Sequence, residues 1–328
     1  MNVTILGGGA WGTTLAQALA DNNHSVLIRD VNQGFIDKIN SEHVHPLFDV
    51  TIPSTIRATF NLEEALDFSE VIVLCLPTKF MRTALEEVNA LGKSHKVFVN
   101  VSKGIEPSTG KCVSQIVDQV LDDPIGYVVL SGPSHAEEMI FRKFTSLVSA
   151  SKNEELAIKV QTLFSNDRYL RVYTSTDVIG VEAGGAIKNA IAVVSGIASG
   201  LGLGENARAA LITRGMREVM QISIALGGEK ETAFGLSGLG DLIVTASSLN
   251  SRNFQAGLKI GQGQSIDYIL KNAKQTVEGI RTIEAAYFLG QKYNLYLPIM
   301  DTAYELVSGK IDVDTACKKL LQRELKSE

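Results

Sequence analysis

The sequence predicts an α/β domain with a mostly parallel sheet, followed by an all-helical domain. Short apolar runs alternate with helical patterns over the first half of the chain, which is typical of βα units. After residue 178 the strand-like runs stop and apolar residues recur at helical spacing. The length of 328 residues suffices for two domains of ordinary size. We therefore predict a first domain at residues 1–178 and a second at 179–328.

The first domain is expected to start with a strand, a glycine turn and a helix. The apolar run Asn2–Leu6 predicts the strand, and apolar residues at helical spacing from Trp11 to Ala20 predict the helix. Later apolar runs predict buried strands at Val26–Ile28, Val71–Leu76, Val97–Val101, Tyr127–Leu130, Thr145–Ala150 and Arg171–Tyr173. Helical patterns lie at Thr78–Leu91 and Thr109–Leu121 and, in the second domain, at Val181–Ser199, Ala207–Leu226, Thr282–Tyr293 and Pro298–Val307.

The composition excludes several classes of protein. Lys plus Arg number 31 and Asp plus Glu number 36, so the formal net charge is −5 and we expect no general nucleic-acid surface. The three cysteines are widely spaced, which fits neither a disulfide framework nor a zinc site and favours the cytoplasm. The N-terminus lacks the pattern of a signal peptide, and the apolar stretch Ala190–Leu203 is too short to span a bilayer. His43 and His45 are predicted to be loop residues, and we expect no metal site.

Glycine is the residue in excess. The chain has 29 glycines against 7 prolines, clustered at residues 7–12, 180–204, 227–240 and 257–263. Such clusters usually mark places where the backbone approaches something closely. The sequence suggests a role for the glycines of the first three clusters, and it suggests none for those at residues 257–263.

A glycine-rich turn between the first strand and the first helix predicts a dinucleotide site. Gly7, Gly9 and Gly12 match the pattern G-x-G-x-x-G, with which a Rossmann-like domain brings backbone close to a pyrophosphate at a helix N-terminus. Asp30 ends the second strand, where a carboxylate accepts hydrogen bonds from the ribose hydroxyls of NAD and repels a 2′-phosphate. Its neighbour Arg29 could instead pair with that phosphate. The sequence therefore favours NAD and leaves NADP open.

Two further loops follow strands of the predicted sheet. Lys103 comes directly after Val97–Val101, and Gly132 and Ser134 come directly after Tyr127–Leu130. Because ligands bind at the carboxyl ends of parallel strands, we expect both loops to line a pocket. Ser134 is also predicted to cap the helix that follows it.

The strongest candidate for chemistry is Lys188, in an early helix of the second domain. Gly184 and Gly185 precede it on the same face, so we expect them to clear side chains from the space beside the lysine. The apolar residues after Lys188 favour a partly buried amine, which loses its proton more readily and can act as a general base. Asp241 is expected to hold this amine, with Thr245 on the same face if that segment is helical.

A phosphate cradle is predicted at residues 251–253. Ser251 is a suitable N-cap, and the apolar pattern after it predicts a helix. Helix-terminal amides, the guanidinium of Arg252 and the amide of Asn253 together suit a phosphate group.

Taken together, these segments resemble the NAD(P)-dependent glycerol-3-phosphate dehydrogenases of bacteria, over nearly the whole chain. The matching motifs are GGGAWGT at 7–13, VSKGIE at 101–106, LSGPSHAEE at 130–138, GVEAGGAIKN at 180–189, NARAALITRG at 206–215, SGLGDLIVT at 237–245, SRN at 251–253 and VEG at 277–279. The resemblance implies that Lys188 is the general base and that the substrate is held by Lys103, Gly132, Ser134, Asp241, Ser251, Arg252 and Asn253. It implies that the dinucleotide contacts Ala10, Trp11, Lys103, Ala136, Arg252 and Glu278.

The resemblance also implies a reaction and an assembly. The reaction is the reversible oxidation of sn-glycerol 3-phosphate to dihydroxyacetone phosphate, which supplies glycerol 3-phosphate for phospholipid synthesis, and the assembly is a homodimer. One departure concerns the cofactor, because members that accept NADPH usually carry Arg or His after the second strand, where this chain has Asp30-Val31-Asn32. Two alternatives remain open: a two-domain dehydrogenase of 3-hydroxy acids, and a non-catalytic module that senses dinucleotides.

Overall fold

The computed structural model describes residues 1–106, 109–272 and 277–322. The chain divides into two compact units. The N-terminal unit comprises Met1–Gly104 and Lys111–Glu182, and the C-terminal unit comprises the described parts of Ile105–Gly110 and Ala183–Glu328. The predicted boundary after residue 178 falls at the first turn of a long helix, four residues before the last residue of the N-terminal unit.

The N-terminal unit is built on one eight-stranded sheet. Its strands are β1 (Asn2–Leu6), β2 (Ser25–Arg29), β3 (Ile56–Thr59), β4 (Val71–Leu74), β5 (Val97–Asn100), β6 (Gly126–Ser131), β7 (Thr145–Ala150) and β8 (Leu170–Ser175). Their order is β3-β2-β1-β4-β5-β6-β7-β8, and every neighbouring pair is parallel except β6 with β7. The first six strands have the order of a dinucleotide-binding fold. The predicted fold class is therefore confirmed.

Helices cover this sheet on both faces. They are α1 (Ala10–Asp21), α2 (Gln33–Asp37), α3 (Leu62–Phe68), α4 (Met81–Ala90), α5 (Val113–Val120), α6 (Ala136–Met139) and α7 (Glu154–Phe164). Alternate residues of the central strands enter different apolar clusters: Val71 and Val73 pack on one face of the sheet, and Ile72 and Leu74 pack on the other. Because these strands are buried on both faces, their side chains are mostly apolar and the strands form continuous apolar runs in the sequence.

All secondary-structure elements in the described residues of the C-terminal unit are helices. Its helices are α8 (Val178–Gly200, from Ala183 onward), α9 (Gly204–Ala225), α10 (Lys230–Ala233), α11 (Asp241–Ser247), α12 (Arg252–Gly261), α13 (Ile266–Asn272), α14 (Glu278–Tyr293), α15 (Pro298–Val307) and α16 (Val313–Leu321). One large apolar cluster fills the unit, and α8 contributes Ile187, Ala190, Ile191 and Val193, all with no exposed surface. Helix α8 is therefore the centre of this unit.

The length of α8 corrects one expectation. The helix has 23 residues and is long and apolar enough to cross a membrane. The prediction that the apolar stretch of this region, taken as Ala190–Leu203, is too short to span a bilayer was therefore wrong. The relevant observation is burial: 94% of the apolar window of α8 lies inside the protein. An apolar helix buried on all sides is typical of the core of a large domain as well as of a membrane span.

Helices α8 and α12 cross at glycines, which accounts for Gly257 and Gly261 of the cluster at 257–263. A β-carbon on Gly196 or Gly200 of α8 would collide with the α12 backbone at Phe254 or Leu258. In the same way, a β-carbon on Gly257 or Gly261 of α12 would collide with α8 carbonyl oxygens. The two helices therefore touch backbone to backbone, and neither surface can accept a larger residue without moving.

Candidate active site

The glycine turn after β1 has the geometry of a dinucleotide-binding loop. Gly7 has φ +111°, a conformation that side chains disfavour, and a β-carbon there would also collide with the carbonyl of Cys75. A β-carbon on Gly12 would collide with the carbonyl of Gly7, so this glycine lets α1 start close to the turn. Gly9 precedes α1 and has no atom within 4 Å of its β-carbon position. No side chain caps α1 at Gly9, so the open backbone fits a pyrophosphate.

Asp30 is tied to the same turn. Its Oδ2 accepts a hydrogen bond from the backbone N–H of Gly8 at 2.5 Å, and its Oδ1 accepts one from Asn32 at 2.8 Å. The guanidinium of Arg29 lies over the ring of Phe60, 5.9 Å from its centroid. The buried Nε of Arg29 has no hydrogen-bond partner. The carboxylate thus lies next to the turn, whereas the arginine packs on an aromatic ring.

His45 lies in a loop, as predicted, but its side chain is buried. Both His43 and His45 lie outside the helices and strands, but the side chain of His45 has no exposed surface. Its ring contacts the backbone of Ala10, the first residue of α1, with 3.1 Å between Nε2 and the carbonyl oxygen. Within the described ranges, no group of three or more His, Cys, Asp or Glu side chains could hold a metal ion.

Lys103 and Ser134 meet in the N-terminal unit, as the two predicted loops require. The Lys103 Nζ donates to the carbonyl of Gly132 at 2.8 Å and to the Ser134 Oγ at 3.0 Å. The Ser134 hydroxyl itself donates to Gly132 at 2.8 Å. The prediction that Ser134 caps a helix was wrong: α6 has His135 at its N-cap position, with no side-chain bond. Ser134 turns toward the lysine instead, and Ala136 begins α6 with 8% exposure.

Lys188 lies buried in the C-terminal unit with Asp241 and Thr245. Its Nζ forms an ion pair with the Asp241 Oδ1 at 2.8 Å and a hydrogen bond with the Thr245 Oγ1 at 2.5 Å. The Thr245 hydroxyl donates to the backbone carbonyl of Asp241 at 2.6 Å, which is possible because both residues lie one turn apart on α11. The exposures of the three residues are 4%, 1% and 4%. A buried amine held by one carboxylate and one hydroxyl has a fixed position.

The glycines before Lys188 serve a different purpose from the one expected. The β-carbon position of Gly184 lies 3.2 Å from the Ser237 carbonyl and from the Cα of Gly238. These residues belong to the π-helical turn Leu236–Gly240 that leads into α11. Gly184 therefore lets the turn before Asp241 pack on α8, which brings the carboxylate to Lys188. The space that Gly184 leaves free of side chains is thus filled by the backbone of this turn.

The start of α12 carries the predicted phosphate residues. Ser251 is the N-cap, and its hydroxyl accepts from the backbone N–H of Phe254 at 3.2 Å. Arg252 is the first residue of the helix and is exposed. The amide of Asn253, however, bonds to protein groups: its Nδ2 donates to the Asn189 Oδ1 and its Oδ1 accepts from Gly279 N–H, both at 2.9 Å. Its contact with phosphate stays a prediction.

Asn189 is a residue that the sequence reasoning missed. It follows Lys188 on α8, is 5% exposed, and reaches α12 through Asn253. The carbonyl of Asn189 lies so close to Gly279 that a β-carbon at Gly279 would collide with it. Glu278, the predicted cofactor contact beside Gly279, is the first residue of α14. A buried asparagine in an apolar helix was the available signal, because buried amides need partners.

Comparison with known proteins identifies the family. The models for the N-terminus and the C-terminus of NAD-dependent glycerol-3-phosphate dehydrogenase match residues 2–157 and 177–318. A glycerol-3-phosphate dehydrogenase (NAD(P)+) of Acholeplasma laidlawii is 55% identical, over 100% of this chain and 99% of that protein. The chain belongs to this family.

Other members of the glycerol-3-phosphate dehydrogenase family are also similar to this chain over nearly its full length. An enzyme of that name from Staphylococcus haemolyticus is 43% identical, over 99% of each chain. The crystal structure of glycerol-3-phosphate dehydrogenase from Coxiella burnetii has a TM-score of 0.93 at 30% identity, and covers 98% of this chain and 99% of that one. The resemblance stated from the motifs is thereby confirmed over the full length.

Proposed function

We propose that this protein interconverts sn-glycerol 3-phosphate and dihydroxyacetone phosphate with NAD(P) and so supplies glycerol 3-phosphate for phospholipid synthesis. The observation that carries the proposal is the buried Lys188, held by Asp241 and Thr245, in a chain of this family. A sensing module that only binds dinucleotides has no use for such an amine. Membership of the family also favours a phosphorylated substrate over a 3-hydroxy acid.

In this proposal Lys188 moves the proton of the reacting hydroxyl group. For the oxidation of glycerol 3-phosphate, Nζ must first release its own proton to solvent; the neutral amine then takes the proton from the C2 oxygen, and in the reverse direction the ammonium returns it. Asp241 and Thr245 hold Nζ in place, so the amine is already oriented when the substrate binds. The nicotinamide ring, when bound, accepts or donates the hydride. Lys103 orients the reacting oxygen.

The phosphate and the dinucleotide are assigned to residues around the described loops and helix starts. Ser251, Arg252 and Asn253 hold the phosphate at the N-terminus of α12, while Lys103, Gly132 and Ser134 contact the substrate as well. The open backbone at Gly9 and the first turn of α1 suit the pyrophosphate. The residues assigned to the dinucleotide are Gly7, Gly9, Ala10, Trp11, Gly12, Asp30, Lys103, Ala136, Arg252 and Glu278.

A direct assay tests the reaction. With dihydroxyacetone phosphate, the purified protein is expected to consume NADH or NADPH, followed by nicotinamide absorbance. Unphosphorylated dihydroxyacetone and a 3-oxo acid should react far more slowly, because the phosphate contacts are lost. Arg252→Ala should raise KM for dihydroxyacetone phosphate, whereas Arg171→Ala, at an exposed arginine of β8, should leave it unchanged. Turnover of the 3-oxo acid without turnover of dihydroxyacetone phosphate would disprove the proposal.

We further propose that NADH is preferred to NADPH. The Asp30 carboxylate lies against the glycine turn and would repel a 2′-phosphate, and Val31 and Asn32 supply no cation. The expected result is a higher kcat/KM with NADH than with NADPH, and Asp30→Ala should shift the ratio toward NADPH. The control is Asp37→Ala on the exposed end of α2, which should leave the ratio as it is. A wild-type preference for NADPH would contradict this assignment.

We also propose that the protein is a homodimer in the cytoplasm. The similarity to the family supports a homodimer, and the widely spaced free cysteines support a cytoplasmic location.

A further inference from the structure

His45 combines full burial with hydrogen bonds on both ring nitrogens. Its Nδ1 lies 3.1 Å from the backbone nitrogen of Leu47 and 3.2 Å from that of Phe48. Its Nε2 lies 3.1 Å from the carbonyl oxygen of Ala10. The ring also packs on that of Phe48, with 4.5 Å between centroids. A buried imidazole needs partners for both ring nitrogens, and here these partners are backbone groups of the loop and of the first turn of α1.

The contacts fix the tautomer of the ring. The two backbone N–H groups can only donate, so Nδ1 must be the acceptor and carry no proton. The Ala10 carbonyl can only accept, so Nε2 must carry the proton and donate it. His45 is therefore a neutral imidazole with one defined tautomer. It joins the loop after residue 43 to the first residue of α1.

The hydrogen bond from His45 reaches the proposed cofactor site at Ala10. Its carbonyl oxygen also accepts from the Thr14 Oγ1 at 2.7 Å, so two side chains hold the first turn of α1. Ala10 directly follows Gly9, where the backbone is open. Trp11 and Phe48 pack against the same apolar cluster. The loop 43–52 and the start of α1 thus form one packed unit, with His45 as the polar link.

We propose that His45 is a positioning residue for the dinucleotide, which holds Ala10 and the first turn of α1 in the geometry that binds the pyrophosphate. The inference rests on the proposed cofactor site and adds to it a residue that makes no contact with substrate. Because His45 acts only on the geometry of the pyrophosphate site, its loss should weaken the binding of the dinucleotide and leave the rate of proton transfer unchanged.

A single substitution separates the Ala10 bond from the rest of the loop. In His45→Asn the side-chain Oδ1 can still accept from Leu47 and Phe48, as asparagine does in Asx turns. The shorter side chain cannot reach Ala10. We expect the Kd for NADH, measured by nicotinamide fluorescence without substrate, to rise about three- to tenfold, the effect of one neutral hydrogen bond. The kcat should stay near the wild-type value.

Matched variants complete the test. His95→Asn changes an exposed histidine paired with Asp123 and should leave the Kd unchanged. His45→Phe removes every hydrogen bond of the ring and should raise the Kd further. If His45→Asn binds NADH with the wild-type Kd, the proposal is overturned, whatever the Kd of His45→Phe. Because no substrate is present, a failure of the dehydrogenase assay would count against the proposed reaction and not against this role.

A measurement on the unaltered protein covers the case in which the variants do not fold. The imidazole ¹⁵N resonances of the five histidines can be followed during a titration with NADH. The His45 Nε2–H signal should shift on binding while the Nε2-protonated tautomer persists. An unchanged His45 signal at saturating NADH would contradict the proposed role.

Discussion

At the scale of single residues, the buried Lys188 is the feature with the most consequence. Desolvation of the amine costs free energy, and the ion pair with Asp241 offsets part of this cost. Replacing such a pair by apolar side chains is often neutral or stabilising, so stability alone does not explain it. The role in proton transfer proposed for Lys188 would account for the pair, because a general base must be held in a fixed position.

Lys188→Met keeps an apolar side chain as far as the Cε position and removes the amine. We expect kcat to fall by roughly 10²- to 10⁴-fold, the usual contribution of general acid–base catalysis. The matched control is Lys159→Met on the exposed face of α7, which should leave kcat unchanged. Steady-state rates in both directions provide the measurement. A Lys188→Met protein with wild-type kcat would show that another group moves the proton.

The neutral state of His45 makes stability depend on pH. Burial lowers the pKa of His45 from 6.5 to about 4, the hydrogen bond to Ala10 opposes this, and the charge of Lys38 adds to it. Below about pH 6.5 the unfolded chain binds a proton that the folded protein excludes, so the free energy of unfolding falls as pH falls toward 4. The stability that His45 contributes is therefore fully present above about pH 6.5.

Denaturant unfolding of the wild type and of His45→Phe checks this sign. Between about pH 7 and pH 5 the wild type should lose about 2 kcal/mol through this group, and the variant should lack that part of the loss. His95→Phe, at an exposed position, should follow the wild type. Equal slopes for wild type and His45→Phe would mean that His45 takes up its proton in the folded state at an ordinary pH.

At the scale of elements, α8 is placed by the glycines of its neighbours. Gly257 and Gly261 of α12 touch its backbone, and Gly279 at the start of α14 lies against Asn189. Close backbone contact leaves little freedom to shift or rotate a helix, because interiors are packed without spare volume. The same helix carries Lys188, so its packing determines where the amine lies.

Gly257→Ala tests this crossing. The new β-carbon would collide with the carbonyl oxygen of Val193, and α12 would have to move away from α8. We expect a loss of about 1–3 kcal/mol in the free energy of unfolding, as for other overpacked cores. Gly34→Ala in the exposed helix α2 is the control and should be neutral or slightly stabilising. Equal stabilities for both variants and the wild type would show that the crossing can open at no cost.

The sequence predicted elements best where they are long or buried. The run Thr145–Ala150 and the helix Pro298–Val307 match the observed β7 and α15 residue for residue. The strand β3 was missed, because Ile56–Thr59 has four residues and alternates buried with exposed side chains, which makes no continuous apolar run. Helix α5 starts at Val113, four residues after the predicted start, because Cys112 takes the N-cap position. Local chemistry of this kind decides where elements begin.

At the scale of the whole molecule, we predict that the chain associates with a second copy of itself. Two copies of the chain are expected in solution, as the similarity to the family supports. Sedimentation equilibrium at low protein concentration should give twice the mass of the chain. A mass of one chain over the whole concentration range would contradict the homodimer.

The sequence by itself determined the fold class, the dinucleotide turn and the identity of the buried amine. These depend on local periodicity, on glycines at fixed spacing and on residue types that few other sites require. Only the tertiary structure decided that Gly184 seats the turn before Asp241, that Asn253 bonds to Asn189, and that His45 holds Ala10. Each of these contacts joins residues far apart in the chain. The spacing of apolar residues predicts helices and strands, but it does not predict which distant segments will be in contact.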